Sequence, residues 1–146
     1  MVADLRRGAR ALGLEVQWRY AFVGPGSVLP SRDHTVTLDV GGQLAPGVLD
    51  QHQDVSLGLS TSELVCKHPE LVYDHLLGPW LSDDAAAQGT RCTFTICTHR
   101  TPDLDAVVSA LLVQHLVEDG TLPGWAPSLS DIATRVDTGR WRPTLD

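Results

Sequence analysis

The chain has 146 residues, of which 42% are hydrophobic and 20% charged, so it suits one ordinary domain and is neither disordered nor fibrous. Lys and Arg total 11 against 18 Asp and Glu, which gives a formal net charge of −7. Because binding to a nucleic-acid backbone needs clustered cations, this charge argues against general nucleic-acid binding. It leaves carboxylates free to bind divalent metals.

Neither a membrane span nor a secretory leader is indicated by the sequence. No apolar run approaches the roughly 18 residues of a transmembrane helix, and residues 1–7 lack the apolar stretch of a signal peptide. Cys66, Cys92 and Cys97 form no CxxC pair, which argues against a disulfide framework or a structural zinc site. We therefore expect a cytoplasmic protein.

The first half of the chain is predicted to hold one helix and two main strands. The helix covers residues 3–13, and alternating apolar and polar side chains over residues 15–23 indicate a strand. A loop rich in glycine and proline, residues 24–33, leads to a second strand over residues 35–40. Residues 48–49 are apolar and are predicted as a brief strand or turn.

The second half is predicted to be mainly helical around one further strand. Residues 61–78 have a helical pattern that Pro69 interrupts, so two short helices are expected. A polar connection follows over residues 82–91. Three segments complete the chain: a strand over residues 93–98, a helix over residues 102–118 and a helix over residues 128–137.

Strands that alternate with helices predict an α/β fold with a small, mostly parallel sheet flanked by helices, in a single domain over residues 1–146. Thr101 is expected to cap the longest helix with Pro102 at its first position, and Ser128 or Ser130 to start the last helix. Three clear strands are few for such a sheet. The chain either holds further short strands or is part of something larger.

The segment after the third main strand holds three potential metal ligands, His99, Asp103 and Asp105. It lies where a strand passes into a helix, at the carboxyl edge of the sheet, where α/β proteins bind ligands. On a regular helix the two carboxylates would point about 200° apart, so both reach one site only if the turn is still unwound. The alternative is that acidic side chains simply stabilise the first turn of the helix. The three side chains at this spacing favour a metal site.

Two weaker candidates lie earlier in the chain. Asp39 ends a predicted strand beside Gly41 and Gly42, where either a metal ligand or an ordinary turn is expected. His52 follows Asp50 in a polar loop, where it is either a solvated histidine or part of a site.

Together these segments resemble the DHH superfamily of phosphoesterases. Asp39-Val-Gly-Gly followed by Asp50-Gln-His-Gln is similar to the D-x-G-G and D-H-H-Q motifs of that family. His99-x-x-Pro-Asp103-Leu-Asp105-Ala is similar to its H-x-x-x-D-x-D-A motif, which manganese-dependent family II inorganic pyrophosphatases share. The resemblance covers about residues 35–120.

The chain departs from the family in three ways. The H-x-x-x-D-x-D motif normally precedes the D-H-H motif and here follows it, as in a circularly permuted chain or a partial domain. Gln51 replaces the first histidine of D-H-H, which is a metal ligand in the family. A second, substrate-binding domain has no room in 146 residues, so none is expected.

The resemblance implies hydrolysis of a phosphoester or phosphoanhydride with Mn²⁺ or Mg²⁺, and with two ions in the full site. The residues that it implies are the metal ligands His99, Asp103, Asp105 and Asp39, a looser ligand Asp137, the phosphate contact or proton donor His52, and the phosphate clamp Arg100. Arg100 is otherwise a solvated surface side chain. If one site exists, the strands that end near residues 39 and 98 should be parallel neighbours.

The expected ligand is a small phosphorylated substrate or a nucleotide, and either a homo-oligomer or a missing partner domain would complete the sheet. A second hypothesis is a catalytically degenerate relative that binds nucleotides or a protein partner. Gln51 and the short chain favour that hypothesis, whereas His99, Asp103 and Asp105 favour an enzyme. A third is a small α/β domain whose motifs are fortuitous.

Overall fold

A computed structural model describes residues 6–54, 56, 58–81 and 89–137. Within these residues, five strands form one sheet in the order β1-β5-β2-β4-β3. The strands are β1 (Glu15–Val23), β2 (Thr35–Leu38), β3 (Leu44–Ala45), β4 (Val48–Leu49) and β5 (Arg91–His99). The helices are α1 (Thr61–Lys67), α2 (Glu70–Leu77), α3 (Leu104–Asp119) and α4 (Ala126–Asp137), with a 3-10 turn (Gly78–Trp80) after α2.

The predicted α/β fold with a mostly parallel sheet is confirmed. β1 pairs with β5, β5 with β2, and β2 with β4, all in parallel, and the short β3 pairs with β4 in antiparallel orientation. β4 coincides with the apolar pair predicted as a brief strand or turn, and β3 is a further short strand that was not predicted. β2 therefore lies in the interior of the sheet, with a parallel neighbour on each side.

One hydrophobic core joins the sheet to the helices. Val36 of β2 and Ile96 of β5 lie side by side in register, and each is at most 1% exposed. Leu112 and Leu116 of α3 pack into the same cluster, as does Ala133 of α4. This packing holds α3 against the central strands and so positions its first turn at the carboxyl edge of the sheet.

The two short helices predicted around Pro69 are confirmed. α1 ends at Lys67, and Pro69 precedes α2 with a φ of −60°. Proline has no amide hydrogen and a fixed φ, so it interrupts a continuous helix but is tolerated where a new one starts.

The helix predicted over residues 3–13 is wrong in its described part, because residues 6–13 form turns and irregular backbone. This segment instead runs along the last turn of α3, where the Ala9 amide donates to the Val117 carbonyl at 2.8 Å. The last carbonyls of a helix lack partners within it. The amino-terminal segment supplies such a partner, and a helix of its own would remove that donor.

The starts of the last two helices also differ from the prediction. The N-cap of α3 is Asp103, not Thr101: its backbone is extended and its carboxylate accepts the Ala106 amide at 2.9 Å. A charged carboxylate is a stronger acceptor than a hydroxyl at this positive end of the helix. α4 begins at Ala126, before Ser128 and Ser130, because the chain already turns through the hydrogen bond from the Ala126 amide to the Pro123 carbonyl.

The polar connection predicted over residues 82–91 lies largely outside the described residues, which resume at residue 89. No helix in the described part of the chain is long and apolar enough to cross a membrane.

Candidate metal centre

Three adjacent parallel strands bring acidic and histidine side chains to one edge of the sheet. Asp39 follows β2, His99 ends β5, and Asp50 follows β4. β2 lies between β5 and β4, so Asp39 stands at the middle of this edge. The prediction that the strands ending near residues 39 and 98 are parallel neighbours is confirmed.

The buried carboxylate of Asp39 is the centre of the site. Its backbone has a φ of +62°, in the left-handed region that Asp tolerates better than most residues and that turns the chain sharply after β2. His99 Nε2 lies 2.9 Å from Oδ2 of Asp39. On the other side, the Gln51 amide group donates to Oδ1 at 3.0 Å, and the Thr61 hydroxyl oxygen lies 3.4 Å from the same carboxylate oxygen.

Burial raises the pKa of the Asp39 carboxyl above its usual value. Hydrogen bonds from Gln51 and His99 oppose this rise, and the negative charges of Asp105 and Asp103 add to it. A divalent cation would offset the free-energy cost of burying this charge and would reduce the repulsion among the carboxylates. The electrostatics therefore favour a cation at this edge.

Among the described residues, two overlapping groups have the composition and spacing of a metal site. The first contains Asp39, His99 and Asp103, and the second contains Asp39, Asp50 and His52. Within each group, one ligand atom from each residue lies within 4.8 Å of the others. Oxygen and nitrogen ligands bind divalent ions at about 2.0–2.2 Å, so atoms at this spacing need only small movements to share one ion. Asp39 belongs to both groups.

His52 is held in place by Asp50. Its Nδ1 lies 2.6 Å from Oδ1 of Asp50, and its own amide donates to the same oxygen at 3.1 Å. The other oxygen of Asp50 accepts the Gly42 amide at 2.9 Å. Nε2 of His52 then lies 3.8 Å from Asp39 Oδ1. Burial by itself lowers the pKa of His52, but the hydrogen bond to Asp50 and the charges of Asp50 and Asp39 outweigh it, so the pKa is raised.

Asp103 and Asp105 face different partners. Asp103 caps α3 and belongs to the first Asp/His group. Asp105 is 1% exposed, and its carboxylate accepts the amides of Thr61 and Ser62, each at 2.9 Å, at the start of α1. It is in neither of the groups that the described residues form. Burial raises the pKa of the Asp105 carboxyl. Thr61 connects the two carboxylates, because its amide contacts Asp105 and its hydroxyl contacts Asp39.

Asp137, the last residue of α4, lies close to these carboxylates. It lines a small cavity of about 230 Å³ together with Asp103 and Asp105. Partial burial and then the negative charges of Asp105 and Asp103 raise the pKa of Asp137 to about 6. The structure therefore places the looser of the predicted ligands beside the site. Arg100, the predicted phosphate clamp, is exposed next to His99.

A cleft of about 490 Å³ opens in front of Asp39, within the range of small-molecule sites. It is lined by Pro25, Gly26, Asp39, Asp50, His52, His99, Thr101 and Asp103. Carboxylates in the lining would repel a phosphorylated ligand in the absence of a cation. Their oxygens, together with imidazole nitrogen, fit a hard divalent ion such as Mn²⁺ or Mg²⁺.

Two residues of the site were not among the predicted ones. Asp50 orients His52, and the Asp of the Asp50-Gln-His-Gln motif was the signal that could have identified it. Thr61 contacts Asp39, Gln51 and Asp105. Its sequence context, Ser60-Thr61 at the start of a helix, is that of an ordinary cap and gave no such signal.

No protein-family model, curated protein or solved structure matches this chain. The resemblance to the DHH superfamily therefore rests on the motif residues alone. The structure adds an α/β fold with two overlapping Asp/His groups that could hold metal ions.

Proposed function

We propose that this chain is a metal-dependent hydrolase of a phosphoester or a phosphoanhydride. The observation that carries the proposal is the position of Asp39, which two Asp/His groups share at the carboxyl edge of three parallel strands. The DHH-like motifs support it, because His99 and Asp39 meet in space although their motifs stand in reversed order. A circular permutation of the family's chain would preserve such a site.

Asp39, His99 and Asp103 are the proposed ligands of a divalent cation, Mn²⁺ or Mg²⁺. When bound, this cation would polarise a phosphoryl oxygen and lower the pKa of a bound water. Asp105 and Asp137 are adjacent carboxylates whose predicted roles as ligands stay predictions. Because the cleft is acidic, we expect a phosphorylated substrate to bind only together with the cation.

His52 is the proposed proton donor to the leaving oxygen. Its Nδ1 faces Asp50, which leaves Nε2 towards the cleft, and the raised pKa keeps the ring protonated at a higher pH than an ordinary histidine. Asp50 acts as a positioning residue, since its carboxylate contacts both the backbone amide and Nδ1 of His52 and so fixes the ring. Arg100 is exposed and stays a predicted contact for a phosphoryl oxygen.

The test combines metal binding with phosphate release. Purified protein is titrated with Mn²⁺ and assayed on phosphodiesters, pyrophosphate and dinucleotides. Asp39→Asn is expected to lose both metal binding and metal-stimulated release, because an amide cannot supply the charge of the shared carboxylate. Asp33→Asn, an equal charge change at an exposed position, is the matched control and should change neither. A wild-type protein that binds no Mn²⁺ and releases no phosphate would refute the proposal.

A second candidate function is a non-catalytic relative that binds a nucleotide or a protein partner. The observation that favours it is Gln51, whose amide donates to Asp39 where the family has a ligating histidine. This candidate predicts nucleotide binding in the presence of Mn²⁺ without release of phosphate from any substrate in the same panel.

A further inference from the structure

The two oxygens of the shared carboxylate are in different environments. Oδ2 of Asp39 faces Nε2 of His99 at 2.9 Å, on the side of the first Asp/His group. Oδ1 instead accepts a hydrogen bond from Nε2 of Gln51 at 3.0 Å. A carboxylate that bridges two cations presents one oxygen to each. Oδ1 is therefore the atom on which a second cation would depend.

The Asp39 carboxylate, which can only accept hydrogen bonds, fixes which end of the Gln51 amide faces it. Gln51 is 7% exposed, and its carbonyl oxygen accepts a hydrogen bond from the Thr61 hydroxyl. At the other end of the same amide, the NH₂ group donates to Asp39 Oδ1. An amide NH₂ carries two donors and no available lone pair, so it cannot bind a cation.

The second Asp/His group is occupied by hydrogen bonds of the protein itself. Oδ2 of Asp50 accepts the Gly42 amide, and Oδ1 lies against both the amide and Nδ1 of His52. A cation bound there would have to replace these contacts. The first group has fewer such contacts among the described residues: His99 Nε2 lies against Asp39 Oδ2, and one oxygen of Asp103 accepts the Ala106 amide.

We infer that the site takes one divalent cation per chain, and that the Gln51 amide takes the place of the second cation by occupying Oδ1 of Asp39 with a hydrogen bond. This inference rests on the proposed metal site and differs from the two-ion site that the resemblance implies. Gln51 is a positioning residue here: it holds Asp39 with Oδ2 towards His99. Replacing Gln51 with a residue whose side chain supplies an acceptor atom should restore binding of the second cation.

The experiment counts cations rather than measuring turnover. Calorimetric titration with Mn²⁺ should give one ion per wild-type chain, and electron paramagnetic resonance should show an isolated Mn²⁺ without coupling to a neighbour. Gln51→Glu places an oxygen where the NH₂ now lies, and should bind a second ion and give a coupled signal. Gln17→Glu adds the same charge on the exposed side of β1 and should still bind one ion.

Each outcome decides between the two proposals. Two ions on the wild-type chain would overturn the inference about Gln51 and leave the proposed metal-dependent function standing. One ion on both the wild type and Gln51→Glu would contradict the role given to the amide. No bound Mn²⁺ on the wild type would refute the proposed function and the inference together.

Discussion

Two carboxylates only two positions apart in the chain differ because their backbones differ. Asp103 is extended and outside α3, so its side chain turns back to the Ala106 amide and the cleft. Asp105 is inside the helix and points to the start of α1, where it accepts two backbone amides. Asp103 is thus a predicted ligand that faces the cleft, whereas Asp105 is a predicted ligand whose carboxylate also joins α3 to α1.

Removal of the Asp105 carboxylate is expected to destabilise the protein. Asp105→Ala leaves the buried amides of Thr61 and Ser62 without acceptors, which should lower the free energy of unfolding by about 1–3 kcal/mol. Asp105→Asn retains one acceptor oxygen and should cost less, while still weakening Mn²⁺ binding. Urea unfolding measures the stability. Asp131→Ala, which loses only the exposed ion pair with Arg135, is the control and should cost about 0.5 kcal/mol or less.

A histidine at position 51 should strengthen the metal site. Gln51→His replaces an amide donor with an imidazole that can bind a cation, as the family's motif has at this place. We expect the variant to bind a second ion at Oδ1 of Asp39, its Mn²⁺ affinity to rise about tenfold, or ~1.4 kcal/mol, and phosphate release to rise with it. Calorimetric titration measures the affinity, with circular dichroism to check folding. Unchanged affinity in a folded variant would contradict this expectation.

At the scale of the elements, the turn between β5 and α3 performs two functions with one side chain. Asp103 caps α3 through the Ala106 amide and belongs to the Asp/His group with Asp39 and His99. An N-cap has a non-helical backbone, so the capping residue can point away from the helix axis. The start of α3 at Leu104 therefore decides which acidic side chain reaches the cleft.

Substitutions of Asp103 should separate capping from metal binding. Asp103→Ser retains a good capping side chain, so its stability should be close to wild type, but it loses the carboxylate and should bind Mn²⁺ weakly. Asp103→Ala loses both and should be less stable by about 1 kcal/mol. Urea unfolding and Mn²⁺ titration of the two variants test this. Equal stabilities for Ser and Ala would show that the cap contributes little.

At the scale of the whole molecule, the parallel sheet concentrates negative charge at one edge. The carboxyl groups of Asp39, Asp105 and Asp137 all have raised pKa values, with burial as the first cause of each. Their ionisation at neutral pH therefore opposes folding. A bound cation would offset this unfavourable charge.

The metal-free protein should therefore be more stable at pH 5 than at pH 7. A carboxyl group whose pKa is raised on folding stabilises the folded state at low pH, and this contribution is lost as the pH rises through the folded value. For Asp137 that window runs from 3.8 to about 6. Urea unfolding with a chelator measures the difference, and Asp137→Asn should reduce it.

Saturating Mn²⁺ should reverse the order, because the ligands must be deprotonated to bind the cation. The same unfolding experiment with Mn²⁺ in place of the chelator should give greater stability at pH 7 than at pH 5. Identical pH dependence under both conditions would count against a cation at these carboxylates.

Features that depend on local chemistry could be predicted from the order of the residues. Alternation over residues 15–23, the interruption at Pro69 and the order of strands and helices led to the correct fold class. Asp39 and His99 were identified because each comes where a strand ends, and the carboxyl ends of neighbouring parallel strands share one edge. These patterns depend on residues that are close together in the chain, so they can be recognised without information on distant contacts.

The partner of each side chain in the site, in contrast, depends on contacts between distant parts of the chain. Asp105 binds amides that lie 43 and 44 positions away, and His99 meets Asp39 across 60 positions. The amino-terminal segment is not helical over residues 6–13 because the end of α3 takes the Ala9 amide, a contact that local helix propensity does not register. The direction of the Gln51 amide likewise depends on the Asp39 carboxylate, 12 positions away, while Thr61 at the start of α1 contacts the other end of the amide.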